Sequence, residues 1–124
     1  MTAVARRPKL LALTRVRGDL LPDVARALYK HEHAPLVMRL MPMIRDYRRI
    51  YIDRQPTALT PGQAWPDFDI ITELGFDDVA GLEAFLLAMA DRPEGQALRA
   101  DSARFPVRGA TRVLRVYEEV TDIP

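Results

Sequence analysis

The chain has no cysteine, which excludes disulfides, thiolate nucleophiles and cysteine-bound metals and fits a reducing compartment. It has only two histidines, His31 and His33, both in the stretch YKHEHAPLV. In a helix two residues that far apart point in different directions. No HExxH or comparable spacing supplies further ligands, so no metal is expected. An excess of one charge is also missing. Eighteen Lys/Arg face seventeen Asp/Glu for a formal charge of +1, with the two signs interspersed, so a nucleic-acid partner is not expected. Near the N-terminus the only apolar run is Leu10 to Leu13, shorter than a signal-peptide core and far short of a membrane span. The expectation is a cytoplasmic protein with no membrane partner.

What is present is enough for one core: 124 residues, 48% of them apolar, form one expected domain over 1–124. Residues 1–8 are expected as an N-terminal tail and 121–124 as a C-terminal one. Residues 9–17 (KLLALTRVR) are apolar and partly alternating, a first strand ended by Gly18-Asp19. From Pro22 the period becomes helical through Leu21, Val24, Ala25 and Leu28, with Pro22 suited to the first helical position and Leu21 a poor cap. Pro35 should break or kink this helix around His33 before LVMRLM resumes.

Residues 44–53 (IRDYRRIYID) alternate as a second strand, and 54–67 form a long loop holding Trp65, the only tryptophan. Residues 68–76 place Phe68, Ile70, Thr72, Leu74 and Phe76 on one face of a third strand. Asp77-Asp78 can cap a helix with the stripe Val79, Leu82, Phe85, Leu86 and Met89. A shorter helix from Pro93 to about Arg104 precedes a last strand over 110–120. The order is βαββαβ, an α+β, ferredoxin-like split βαβ fold with a four-stranded antiparallel sheet and both main helices on one face. Strands one and four have apolar residues on both faces, so the second face needs a cover, and a homodimer through the sheets is expected.

Period-two spacing puts Tyr47, Arg49 and Tyr51 on one face of strand two, Asp69 and Glu73 on one face of strand three, and Arg115 and Tyr117 on one face of strand four. If these faces meet between two sheets they enclose a cavity for a small organic molecule; otherwise the charges pair at the surface. Trp65 either closes over a ligand or anchors its loop. Met38, Met41 and Met43 read as core or as adaptable lining. A histidine at a helix end can act as general acid or base, or simply be solvated.

The segments LYKHEHAPLVMRLMPMIRDYRRIYI, FDIITELGFDDVAGLEAF and RPEGQALRAD resemble the EthD-domain family, with similarity from about Lys9 to Glu119. The resemblance is carried by the His-Ala-Pro-Leu element together with Pro-Glu-Gly-Gln. It implies a dimeric α/β barrel in which two ferredoxin-like subunits pack sheet to sheet. The family histidine falls on His33 and its helix aromatic on Tyr29. Leu21 stands where Ser or Thr is usual, and Tyr29 or Lys30 where tryptophan is common. EthD-like proteins are linked to ether degradation, and fungal relatives to dehydration steps in aromatic polyketide pathways.

The function expected is a cofactor-independent lyase, dehydratase, cyclase or isomerase acting on a small hydrophobic or aromatic substrate. His33, Asp69 and Tyr47 are its expected catalytic residues, with Asp69 orienting the histidine or taking the second proton. Tyr29, Arg49, Tyr51, Trp65, Glu73 and Tyr117 are expected to line the substrate site. The alternative is a non-catalytic dimer that binds a hydrophobic metabolite or serves a partner oxygenase. Heme binding through His33 and cofactor-free monooxygenation are the remaining readings.

Overall fold

The computed structural model describes residues 7–59, 61–107 and 109–124. Most of the expected N-terminal tail, residues 1–6, lies outside them. Four strands, β1 (Lys9–Thr14), β2 (Asp46–Tyr51), β3 (Ile70–Gly75) and β4 (Arg112–Val116), form one antiparallel sheet in the order β2-β3-β1-β4. This is the α+β, ferredoxin-like arrangement expected from the alternation. Each strand is shorter than its sequence signal. At the end of β1, for example, the chain twists away and Val16 is left in an isolated bridge with Pro106.

Helix α1 (Pro22–Leu28) starts on Pro22 behind an uncapped Leu21. Of the break or kink expected around His33, the structure shows no break: regular α-helix stops at Leu28 and the chain winds on through a π-helical turn, Tyr29–His33, into α2 (Ala34–Leu40). Pro35 has no N–H to donate, so the winding chain loses one backbone hydrogen bond in the first turn of α2. The Ala34 N–H reaches back to the Tyr29 carbonyl, five residues away, and so widens the turn without interrupting the helix. Helix α3 (Val79–Asp91) is capped as the sequence suggests, Asp78 accepting from the Gly81 N–H at 2.8 Å. Such a cap is worth about 1 kcal/mol. Helix α4 (Pro93–Ser102) follows after one residue.

Register decides what each strand face does. Leu10 pairs with Leu74, which pairs with Tyr47, so these three share the face that carries the helices. There Leu10 and Leu74 meet Val37 and Met41 of α2 and its end, Leu82 and Phe85 of α3, and Leu98 of α4. Each such buried side chain stabilises by roughly 1.5–3 kcal/mol before entropy is counted. A second cluster, Tyr29, Ile70 and Phe105, fills the space under the π turn. Phe105 is fixed there because its segment is tied to the chain after β1: Arg17 N–H donates to the Phe105 carbonyl at 2.9 Å and Val107 N–H to Arg15 at 2.7 Å.

The other sheet face carries Leu11, Leu13, Ile50, Ile71 and Leu114 beside an ionic patch of Lys9, Glu73 and Glu118. Ile50 is 42% and Leu114 46% exposed, an apolar surface without a helix over it. Among the described residues no helix is long and apolar enough to cross a membrane.

Candidate functional site

His33 is the last residue of the π turn and is 7% exposed. Its ring is held on three sides. Tyr29 lies edge-on with ring centroids 5.5 Å apart, Phe105 edge-on at 5.6 Å, and the Asp101 carboxylate of α4 at 2.7 Å from Nδ1. A carboxylate only accepts, so the Nδ1–H is the donor and Nε2 is left as the basic nitrogen of the neutral ring. Asp101 is itself held, its other oxygen accepting from Arg104 at 2.7 Å, while Arg104 also reaches Glu32 at 3.4 Å. The result is a chain, Glu32–Arg104–Asp101–His33, that fixes the orientation of the imidazole.

Helix α4 can bring Asp101 this close because Gly95 lets it lie against α3. A Cβ at position 95 would stand 2.0 Å from the Ala88 carbonyl oxygen.

His33 opens onto a cavity of about 330 Å³ between the inner sheet face and the helices. Its walls are mainly apolar, with Leu10, Val37, Leu74, Phe85 and Leu98 prominent. Its polar groups are few: His33, Tyr29, Tyr47, Ser102 and the threonines at 14, 72 and 111. An apolar cavity with a small set of convergent polar groups is the usual form of a small-molecule site. Burial pushes the Tyr29 phenol well above its ordinary value, against the opposing effects of Arg49 and of a hydrogen bond with Thr14. Burial also raises Tyr47, again opposed by Arg49. Both phenols are therefore protonated at neutral pH and can donate to an oxygen in the cavity.

The structure groups some of the sequence-derived residues and separates others. His33, Tyr29 and Tyr47 line one cavity; Arg49 is not among its lining residues and holds its guanidinium 5.4 Å from the Tyr47 ring. The expected location between two sheets is corrected: this cavity lies between sheet and helices of a single chain, because the Tyr47 face of β2 is the one that shares its side with Leu74. Asp69 does not reach His33. Its carboxylate accepts from the Val16 N–H at 2.8 Å and from Arg54 at 2.7 Å, and it belongs, with Tyr51, to a second pocket at the end of the sheet.

Asp101 holds the place expected of Asp69. The signal that would have found it is helical spacing, since Asp101 is three residues from the buried Leu98 on α4 and so shares its face. Glu73 lies on the outer sheet face, 3.7 Å from Lys9. Trp65 sits on its loop with the Arg54 guanidinium 6.0 Å from its ring, and Tyr117 is exposed beyond β4. Among the described residues no three His, Asp or Glu side chains cluster as a metal site would need.

The EthD domain model matches residues 17–108, a span that contains His33, Asp101 and all but the β1 and β4 walls of the cavity. No curated protein matches the sequence. Among solved structures, an EthD family protein from Bacillus halodurans is 23% identical, with a TM-score of 0.59 over 93% of this chain and 99% of that one. Hydroxynitrile lyase from Passiflora edulis is 13% identical, with a TM-score of 0.63 over 94% and 97%. A dimeric ferredoxin-like protein of unknown function from Jannaschia is 18% identical, with a TM-score of 0.54 over 92% and 99%.

Proposed function

Because the chain belongs to the EthD family, whose domain spans residues 17–108 and so includes His33 and Asp101, we propose that it is a cofactor-independent enzyme moving protons on a small hydrophobic or aromatic molecule. The observation that carries the reading is the 2.7 Å contact between Asp101 and a buried His33 at the wall of an apolar cavity. In this reading Nε2 takes a proton from a carbon or hydroxyl of the substrate. The Asp101 carboxylate stabilises the imidazolium that forms, and the oxygen on which negative charge develops accepts from the protonated Tyr47 or Tyr29. The proton then returns from Nε2 to a leaving group or to another carbon. The net result is an elimination, cyclisation or isomerisation without a redox change. A lyase among the fold relatives is consistent with such chemistry on this architecture.

The same reading includes a homodimer. The uncovered Leu11, Leu13, Ile50, Ile71 and Leu114 face supports sheet-to-sheet pairing, and solved relatives of this fold are described as dimeric. Expression in the cytoplasm suits a chain without cysteine. The apolar character of the walls also favours a second reading, in which the cavity holds a hydrophobic metabolite without turning it over.

Solvent-deuterium exchange at the α-carbon of small aromatic ketones, followed by proton NMR, tests the proton transfer without knowledge of the natural product. The His33→Ala variant should lose about 10²- to 10⁴-fold in exchange rate. Exchange at the wild-type rate in a folded His33→Ala protein would refute the catalytic reading. Ketone binding without catalysed exchange in the wild type would favour the binding one.

A further inference from the structure

The core of this chain comes in two pieces. One cluster joins Leu10 and Leu74 of the sheet to Val37, Leu82, Phe85 and Leu98 of the helices, and the other joins Ile70 to Tyr29 and Phe105. A domain usually has one contiguous core. The strand register shows what divides this one. On the inner sheet face Tyr47, Leu74 and Leu10 form one row across the strands, and Tyr51, Ile70 and Thr14 form another. The two rows are four residues apart, roughly 13 Å at about 3.3 Å per residue, and each lies under one of the clusters.

Between them runs a row of shorter side chains. Thr72 pairs with Ala12, and Ala12 with Val113. All three line the cavity; the row's fourth member, Arg49 on the edge strand β2, does not. Ala12 and Thr72 belong to the two central strands and face the helices, yet both keep accessible surface. Along β1 the neighbours of Ala12 on the same face, Leu10 and Thr14, are buried. Val113, on the edge strand β4, is 57% exposed, so the row leads from the middle of the sheet to solvent. The cavity of about 330 Å³ is thus the gap between the two clusters, and Ala12 lies on its floor with a side chain of one carbon.

An unfilled apolar gap forfeits packing contacts and costs stability, and such a cost persists where function needs the space. We infer that Ala12 is the specificity-determining residue of this cavity: its short side chain keeps the two clusters apart and sets how large an apolar molecule fits between the sheet and His33. At the lower end of the ~300–1,000 Å³ usual for small-molecule sites, the cavity would lose a large share of its room to one longer side chain on its floor. This inference rests on the cavity being the ligand site and names what limits the size of its ligand.

The test measures binding of a one-ring and a two-ring aromatic ketone, acetophenone and 2-acetylnaphthalene, by isothermal titration into the full-length protein, alongside thermal melts. The wild type should bind both. Ala12→Leu should weaken the two-ring ketone about 10-fold or more while acetophenone changes by less than about 3-fold. Filling the gap should also raise Tm by roughly 2–8 °C, so stability and binding move in opposite directions. Ala12→Val, a smaller and β-branched replacement that suits a strand, should show the same trend in weaker form and serves if leucine overfills the site. Two-ring binding that is unchanged in a folded variant, or lost in equal measure with acetophenone, overturns the role of Ala12 and leaves the cavity reading intact. A lower Tm for Ala12→Val than for the wild type overturns it too, since no gap would then lie over Ala12. Binding of neither ketone by the wild type overturns the cavity reading and the role of Ala12 with it.

Discussion

Substituting Gly95 by alanine tests how the site is held together. The new Cβ would stand 2.0 Å from the Ala88 carbonyl oxygen and 2.5 Å from the Met89 Cα. A carbon and a carbonyl oxygen settle at about 3.3 Å or more, so the two helices must part by roughly 1.3 Å. Helix α3 cannot recede, because Leu82 and Phe85 fix it on the sheet, so α4 moves. At about 1.5 Å of rise per residue, Asp101 lies about 9 Å further along the same rigid helix and is carried with it.

A shift of about 1 Å would stretch the 2.7 Å contact with His33 beyond hydrogen-bonding range. The overpacking should cost about 3 kcal/mol, the upper end of the usual range because both obstacles are backbone, offset by up to about 1 kcal/mol of better helix propensity. For 124 residues the net loss of about 2 kcal/mol corresponds to a fall in Tm of roughly 8 °C. Circular dichroism melts give the Tm, and proton NMR of the His33 ring reports the broken contact. A variant that melts with the wild type and keeps the His33 signals unchanged would refute the argument that Gly95 sets the α3–α4 distance.

Asp101→Asn should offer its amide N–H to Nδ1 and so leave the proton on Nε2; deuterium exchange should fall by about 10²-fold or more while the fold survives. Phe105→Ala removes a fully buried ring that packs on both Tyr29 and His33, at about 3–5 kcal/mol in urea unfolding. The raised phenol of Tyr29 contributes stability that is fully present below the ordinary tyrosine value of 10.0 and is lost as pH rises through the higher folded-state value. Alkaline unfolding followed by fluorescence should therefore show less pH sensitivity in Tyr29→Phe than in the wild type. Leu114→Glu should place a charge on the uncovered sheet face, and sedimentation velocity should then show monomers at concentrations where the wild type is dimeric.

Strand faces and helix stripes were legible in the sequence because their periods are short. Ile70, Thr72, Leu74 and Phe76 do share the core face, and Leu82 and Phe85 do face the sheet. Which side of the sheet carries Tyr47, Arg49 and Tyr51 was not legible, since alternation groups residues without saying which group is inside. The register with Leu74 decides it. His33 stood out through its motif, but its partner lies 68 residues away in a segment, RAD, that reads as an ordinary exposed helix end. Asp69 looked equally suitable on spacing. Only the folded path shows that the chain after β1 and Arg54 already occupy its carboxylate. The disturbance of the helix before Pro35 was legible, but its form, a π turn in place of a break, was not.

The cavity between sheet and helices has a consequence for stoichiometry. His33, Asp101, Arg104 and the walls around them lie on the helix side of the sheet, away from the face proposed to pair. Two copies paired through their outer sheet faces would thus be two independent reactors placed back to back, neither lending a group to the other. A mixed pair of one intact and one His33→Ala copy should then work at half the rate of an intact pair, with the KM of the intact copy, and its activity should scale linearly with the fraction of intact chains.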